Sequence, residues 1–208
     1  MNFGLSKLCI FMSERKNIHT FAKIFSHLTG PPTEIPVIIF LLLNRAGVGR
    51  SSFLSYAAVF LFFGWGIPVA YFAYALRRGW IRDINATDRR DRPVPYAVAV
   101  AGWTILIFFV LNVPTFVDYP LFQYFYALLL VIWLITFFYK VSVHAALNTA
   151  LYLLLNQVCD WRFWWLFPLV LLVCWSRWIN KKHSFWQLVL GVAVAVGLWG
   201  AFCLVKLP

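Results

Sequence analysis

Three short polar clusters hold the side chains of this chain that could do chemistry. The first is residues 83–93, with Asp83, Asp88, Arg89, Arg90, Asp91, Arg92 and Pro93. The second is Lys140, Ser142 and His144, and the third is Ser176 and Arg177 followed by His183. Arg92, Arg177, Lys140, Arg89 and Arg90 concentrate cationic donors, and arginine forks match phosphate oxygens in bidentate geometry. Ser142 and His144 fall where a helix should begin, so free backbone amides and the helix dipole favour an anion there. Two histidines complete a reactive set. One imidazole nitrogen can attack phosphorus and form a covalent intermediate, while the other protonates the leaving group.

The clusters interrupt a chain that otherwise reads as membrane helix. Of 208 residues 62% are hydrophobic and 12% are charged, far below the roughly 25% charged residues of soluble domains. Apolar segments run over about 53–76, 96–113 (ending at Pro114), 119–139, 142–158, 163–175 and 185–205. They predict an all-α polytopic bundle of six transmembrane helices. Residues 1–34 predict an interfacial amphipathic segment. Ile18, Phe21, Ile24, Phe25 and Leu28 form its apolar stripe, and Gly30, Pro31 and Pro32 end it. Residues 35–43 are apolar but short, as in a re-entrant or tilted piece, and residues 35–208 are expected to be one transmembrane domain.

Following the spans in order places all three clusters on one membrane face. The first span ends at residues 77–93, the next two return at Lys140, the fourth starts there, and the fifth returns with Ser176 and Arg177. Charged residues beside a bilayer are costly and usually functional.

The net charge of +11 suits anionic lipid surfaces and phosphorylated headgroups rather than nucleic acid, given the apolar runs. Cys9, Cys159, Cys174 and Cys203 show no metal or disulfide spacing. Leu8 to Met12 is too short for a secretory signal.

The order Arg-Pro, Ser-x-His and Ser-Arg-x5-His resembles the type 2 phosphatidic acid phosphatase superfamily over residues 53 to 205. That resemblance implies an integral membrane phosphatase acting on a lipid phosphomonoester or diphosphate: polyprenyl diphosphate, phosphatidate or phosphatidylglycerophosphate. It implies no metal and no cofactor. His183 would be the nucleophile that forms a phosphohistidine, and His144 the general acid. Arg92, Arg177, Ser142 and Ser176 would bind phosphate. There are departures. Asn85 stands where the family has a lysine, a cation that Lys140, Arg89 or Arg90 could supply. Val141 and Val143 replace a proline and a glycine. Gln187 replaces the aspartate that orients the nucleophile, and its carbonyl can still accept the imidazole N–H.

Other residues read more simply. Arg77, Arg78 and Arg82 suit juxtamembrane anchoring. His19 and His27 suit an interfacial position, Lys181 and Lys182 headgroup binding, and the Trp and Phe runs interface anchors. Asp83, Asp88 and Asp91 could pair with nearby arginines, or faintly resemble the magnesium site of an intramembrane prenyltransferase, which would need a second aspartate cluster. A catalytically weak protein that binds or transports lipid phosphates is a third reading. The expected partners are the bilayer and a membrane lipid phosphate, with no nucleic acid; nothing in the sequence speaks to oligomeric state.

If residues 35–43 do not span, the face with the clusters holds ten Lys and Arg against eight; if they do, fourteen against four. By resemblance the site faces the periplasm or outside of a bacterial inner membrane.

Overall fold

The computed structural model describes the backbone of residues 3–113 and 119–206, and side chains within 16–113 and 120–204. Pro114 and Asp118 lie outside the described residues, as does the side chain of Cys9. The described residues form helices and no strands. We number them α1 (Phe3–Leu28), α2 (Pro31–Arg45), α3 (Arg50–Arg77), α4 (Pro93–Asn112), α5 (Tyr119–Phe138), α6 (Val143–Val158), α7 (Phe167–Ile179) and α8 (Phe185–Lys206).

All six expected segments are helical, at the expected places. Four helical stretches are long and apolar enough to cross a membrane: Arg50–Arg77, Arg89–Asn112, Pro120–Phe138 and Phe185–Leu204. α6 has 16 residues and α7 has 13, short of the roughly 20 that a full span needs. Of the six expected spans, four therefore reach spanning length among the described residues, and α6 and α7 fall short of it. The pair Lys16–Leu28 and Pro31–Arg45, bent by 40°, also qualifies when taken together.

α6 is the hub. It packs against α2, α7 and α8, and Ala145, Ala146, Leu147, Ala150 and Leu154 are almost wholly buried. Small residues let neighbouring backbones close in, which is how membrane helices gain packing energy without a hydrophobic drive. Gly191 of α8 shows the tolerance: a Cβ there would lie 2.6 Å from the Ser142 carbonyl oxygen. The outer surface is apolar instead, with Leu54, Phe108, Phe138 and Leu204 exposed, as suits a surface against lipid.

Two helix prolines shape the bundle, and two indoles repair the damage. A proline cannot donate to the carbonyl four residues back. Pro36 leaves the Pro32 carbonyl without its helical donor, and Trp65 Nε1 donates to it at 2.7 Å. Pro68 likewise frees the Gly64 carbonyl, and Trp103 Nε1 donates to it at 3.2 Å. The second site sits in a π-helical turn, Phe62–Gly66. These two tryptophans serve the bundle interior instead of forming part of the Trp and Phe runs expected as interface anchors. Trp103 is fully buried, whereas Trp161, Trp164 and Trp165 are exposed and fit it.

The N-terminal helix adds a contact with the bundle that its amphipathic pattern alone did not specify. α1 packs on α7 with Ala22 and Ser26 buried, while Ile18, Phe21, Ile24 and Leu28 face outward. The apolar stripe is the outer face, and the small residues make the protein contact. α2 then packs Ile38, Ile39, Leu42 and Leu43 fully into the core. α1 ends at Leu28 and α2 begins at Pro31, so the chain breaks where Gly30, Pro31 and Pro32 were expected to end the first segment, and both helices pack against the bundle.

Candidate active site

The loop before α4 is organised by one aspartate. Asp83 accepts from the amides of Asn85 (2.8 Å) and Thr87 (2.9 Å) and from the Thr87 hydroxyl (3.0 Å). Burial raises its pKa, but these hydrogen bonds and nearby Lys182 outweigh that and hold it below the usual carboxylate value. The turn leaves Ala86 at φ 42, a left-handed conformation unusual for alanine. Its carbonyl thereby meets Arg92 Nε at 2.8 Å, and Arg92 Nη1 reaches the Val141 carbonyl at 2.8 Å. Arg92 thus ties this loop to the α5–α6 junction.

Among the described residues, Asp88 alone of the three aspartates pairs with an arginine, Arg82, at 2.7 Å. Asp91 accepts from the Arg82 amide. No group of three His, Cys, Asp or Glu side chains suited to a metal occurs among the described residues.

Arg177 sits in the last turn of α7, where the helix dipole favours a cation. Its Nη1 donates to Ser26 Oγ at 2.7 Å and to Asn85 Oδ1 at 3.3 Å. Its Nε is buried with no partner. Arg92 is 2% exposed and Arg177 is 3% exposed, and neither makes an ion pair among the described residues. Buried charge left unpaired is costly, so the pair calls for an anion.

His183 is held by the start of α8. Ser184 and Gln187 form a reciprocal capping box: the Gln187 amide donates to Ser184 Oγ at 3.4 Å, and the Ser184 amide to Gln187 Oε1 at 3.2 Å. The same oxygen lies 3.1 Å from His183 Nδ1. An amide oxygen only accepts, so Nδ1 carries the proton and Nε2 keeps its lone pair. Burial, with Arg92, Arg177 and Lys140 nearby, pushes the pKa of His183 down to about 2.

His144 lies in the first turn of α6, beneath the α1–α2 bend. Its Nε2 is 3.2 Å from where a Cβ on Gly30 would sit. Ser142 caps this helix, accepting from the Ala145 amide at 3.4 Å, and its own amide donates to the Gln187 carbonyl. Ser142 is itself fully buried and is not among the residues that line the cavity beside His144.

Arg92, His144, Arg177 and His183 line one cavity of about 390 Å³, together with Ser26, His27 and Asn85. Apart from Tyr96, the rest of its wall is largely apolar, including Ile35, Trp65, Phe72, Leu129 and Leu147. His27, expected merely at the interface, stands at this cavity while remaining exposed.

The other expected site residues, Ser176, Arg89 and Lys140, do not line the cavity. Ser176 is fully buried and donates back to the Val173 carbonyl. Arg89 donates outward to the Phe137 carbonyl, and Arg90 is exposed. Lys140 Nζ donates to the Lys182 carbonyl at 2.7 Å. Partial burial, with Arg92 and Arg177 nearby, lowers its pKa. Of the three candidates for the missing cation, Lys140 is the one beside the arginines.

Sequence reasoning missed Ser26, Gly30 and Ser184. Only Ser184 had a local signal, the Ser-x-x-Gln capping pattern. Comparison with protein-family profiles, curated proteins and solved structures found no match.

Proposed function

We propose that this protein is a metal-independent lipid phosphatase of the membrane, acting on a lipid phosphomonoester or diphosphate. One observation carries the reading: two buried arginines without carboxylate partners and two histidines share the polar end of one apolar cavity. The arginines take the phosphate oxygens, and the apolar wall takes the lipid chain.

His183 Nε2 attacks phosphorus, and the bond from phosphorus to the leaving oxygen breaks. His144, protonated in the substrate complex, gives its proton to that oxygen. The phosphohistidine is then cleaved by water, whose proton returns to His144, releasing inorganic phosphate. Gln187 holds His183 in the required tautomer throughout. Six helices cross the bilayer in this reading, and the site opens to the outside of a bacterial inner membrane.

The test is phosphate release by purified protein from a panel of lipid phosphates and diphosphates in excess EDTA. Release, with an acid-labile phosphoprotein that disappears in His183→Ala, is expected. Strict Mg²⁺ dependence would overturn the mechanism, and binding without turnover would favour a transport or carrier role. That last role draws on Asn85 and Gln187, which stand where the resembled family has a lysine and an aspartate. Labelling of single cysteines at Arg82 and near the C-terminus from either side tests the orientation.

A further inference from the structure

We infer that the bend joining α1 to α2, from Ser26 to Pro32, is a built wall of the anion site, with Ser26 the positioning residue for Arg177 and Gly30 the space that His144 occupies. This rests on the phosphate-site reading above.

Arg177 Nη1 is held between two oxygens from distant parts of the chain, Ser26 Oγ and Asn85 Oδ1. Both acceptors are neutral. A carboxylate in either place would orient the guanidinium but also cancel its charge and compete with the ligand. Neutral acceptors fix the plane of the fork and leave its full charge for an anion. The edge left over carries Nε, buried and without a partner, as expected of a donor whose acceptor is the ligand.

The bend is held in place without Ser26. Asn148 Nδ2, on the helix that carries His144, donates to the Thr29 carbonyl at 3.2 Å. Trp65 Nε1 donates to the Pro32 carbonyl, the one Pro36 leaves open. Gly30 has ordinary extended angles, φ −108 and ψ 166, so backbone conformation does not require glycine. The 3.2 Å approach to His144 Nε2 does: a methyl group there would have to push the imidazole aside.

The experiment uses the full chain in nanodiscs, with inorganic phosphate as the binding probe and a hydrolysed lipid phosphate for kinetics. Ser26→Ala is expected to weaken inorganic phosphate binding and raise KM by about tenfold, the usual scale for one hydrogen bond to a charged group. Its kcat should change far less, and Ser26→Thr should restore most of the affinity. Thr20→Ala, exposed on the same helix, should change neither. Gly30→Ala should lower kcat and move the basic limb of the pH–rate profile, with phosphate affinity retained. If Ser26→Ala lowers only the melting temperature and leaves phosphate affinity and KM intact, Ser26 is structural and the inference fails. If the wild type hydrolyses no lipid phosphate, yet Ser26→Ala still weakens phosphate binding tenfold, the phosphatase reading falls and the wall stands. A wild type that binds no inorganic phosphate overturns both.

Discussion

Gln187 Oε1 lies 3.1 Å from His183 Nδ1 and, on its other side, 3.2 Å from the Ser184 amide. One oxygen caps a helix and sets a tautomer. Gln187→Ala is expected to lower kcat for phosphate release by about tenfold, the order of one lost orienting hydrogen bond. Ser184→Ala should have a smaller effect in the same direction. Gln187→Asp keeps an acceptor and adds charge that stabilises an imidazolium, so its activity should exceed that of Gln187→Ala. Equal rates for all three would remove the orienting role.

With its pKa at about 2, His183 stays neutral in the folded protein while an unfolded histidine titrates near 6.5. Below that value the unfolded state binds a proton that the native state refuses. Stability should therefore be full above pH 7 and fall progressively as the pH drops below about 6.5. Melting temperature against pH measures this. His183→Gln should flatten the decline, and added inorganic phosphate should oppose it in the wild type, because an anion beside the ring favours its protonation.

Arg92 and Arg177 should respond differently to truncation. Both are buried, but Arg92 spends Nε and Nη1 on the carbonyls of Ala86 and Val141. Arg92→Met leaves two buried carbonyls unpaired, at about 1–3 kcal/mol each, and should lower the melting temperature as well as activity. Arg177→Met removes an uncompensated buried charge. It should abolish phosphate binding with little loss of melting temperature, and a large loss would contradict the unpaired state of that guanidinium.

Trp65→Phe and Trp103→Phe each strip the donor from a proline-orphaned carbonyl. Both should destabilise by about 1–3 kcal/mol, measured by chemical denaturation in mild detergent. Only Trp65→Phe should also raise KM, because the Pro32 carbonyl belongs to the bend beside His144.

Ala86 at φ 42 stores roughly 1 kcal/mol of left-handed strain. Ala86→Gly should leave the melting temperature unchanged or slightly higher, with kcat intact. Asp83→Ala, which loses three hydrogen bonds that hold the turn, should lower both. If Ala86→Gly proved as damaging as Asp83→Ala, the alanine methyl would matter more than the backbone geometry.

Much of the helix layout was legible from sequence because apolar runs and proline or glycine breaks are local signals. The Arg92, His144, Arg177 and His183 spacings were legible too, since each lies within its own short motif. Ser26 and Gly30 were not. Ser26 is 151 residues from Arg177, and nothing in its neighbourhood marks it as polar for a reason. The stripe of Ile18, Phe21, Ile24 and Leu28 marked the outward face of α1, not the face that carries Ser26. In a membrane protein the most apolar face meets lipid, and the small residues mark the protein contact.

The sequence by itself determined an all-helical, apolar chain with its reactive groups in three islands, because composition and spacing are properties of the chain alone. Only the tertiary structure decided which of those groups share a cavity. It turned Arg92 partly into a structural tie and left Ser176 and Arg89 out of the cavity lining. It brought the N-terminal bend over His144. Those outcomes depend on where separate helices close against one another, and that is set by small-residue packing and by donors reaching orphaned carbonyls across the bundle.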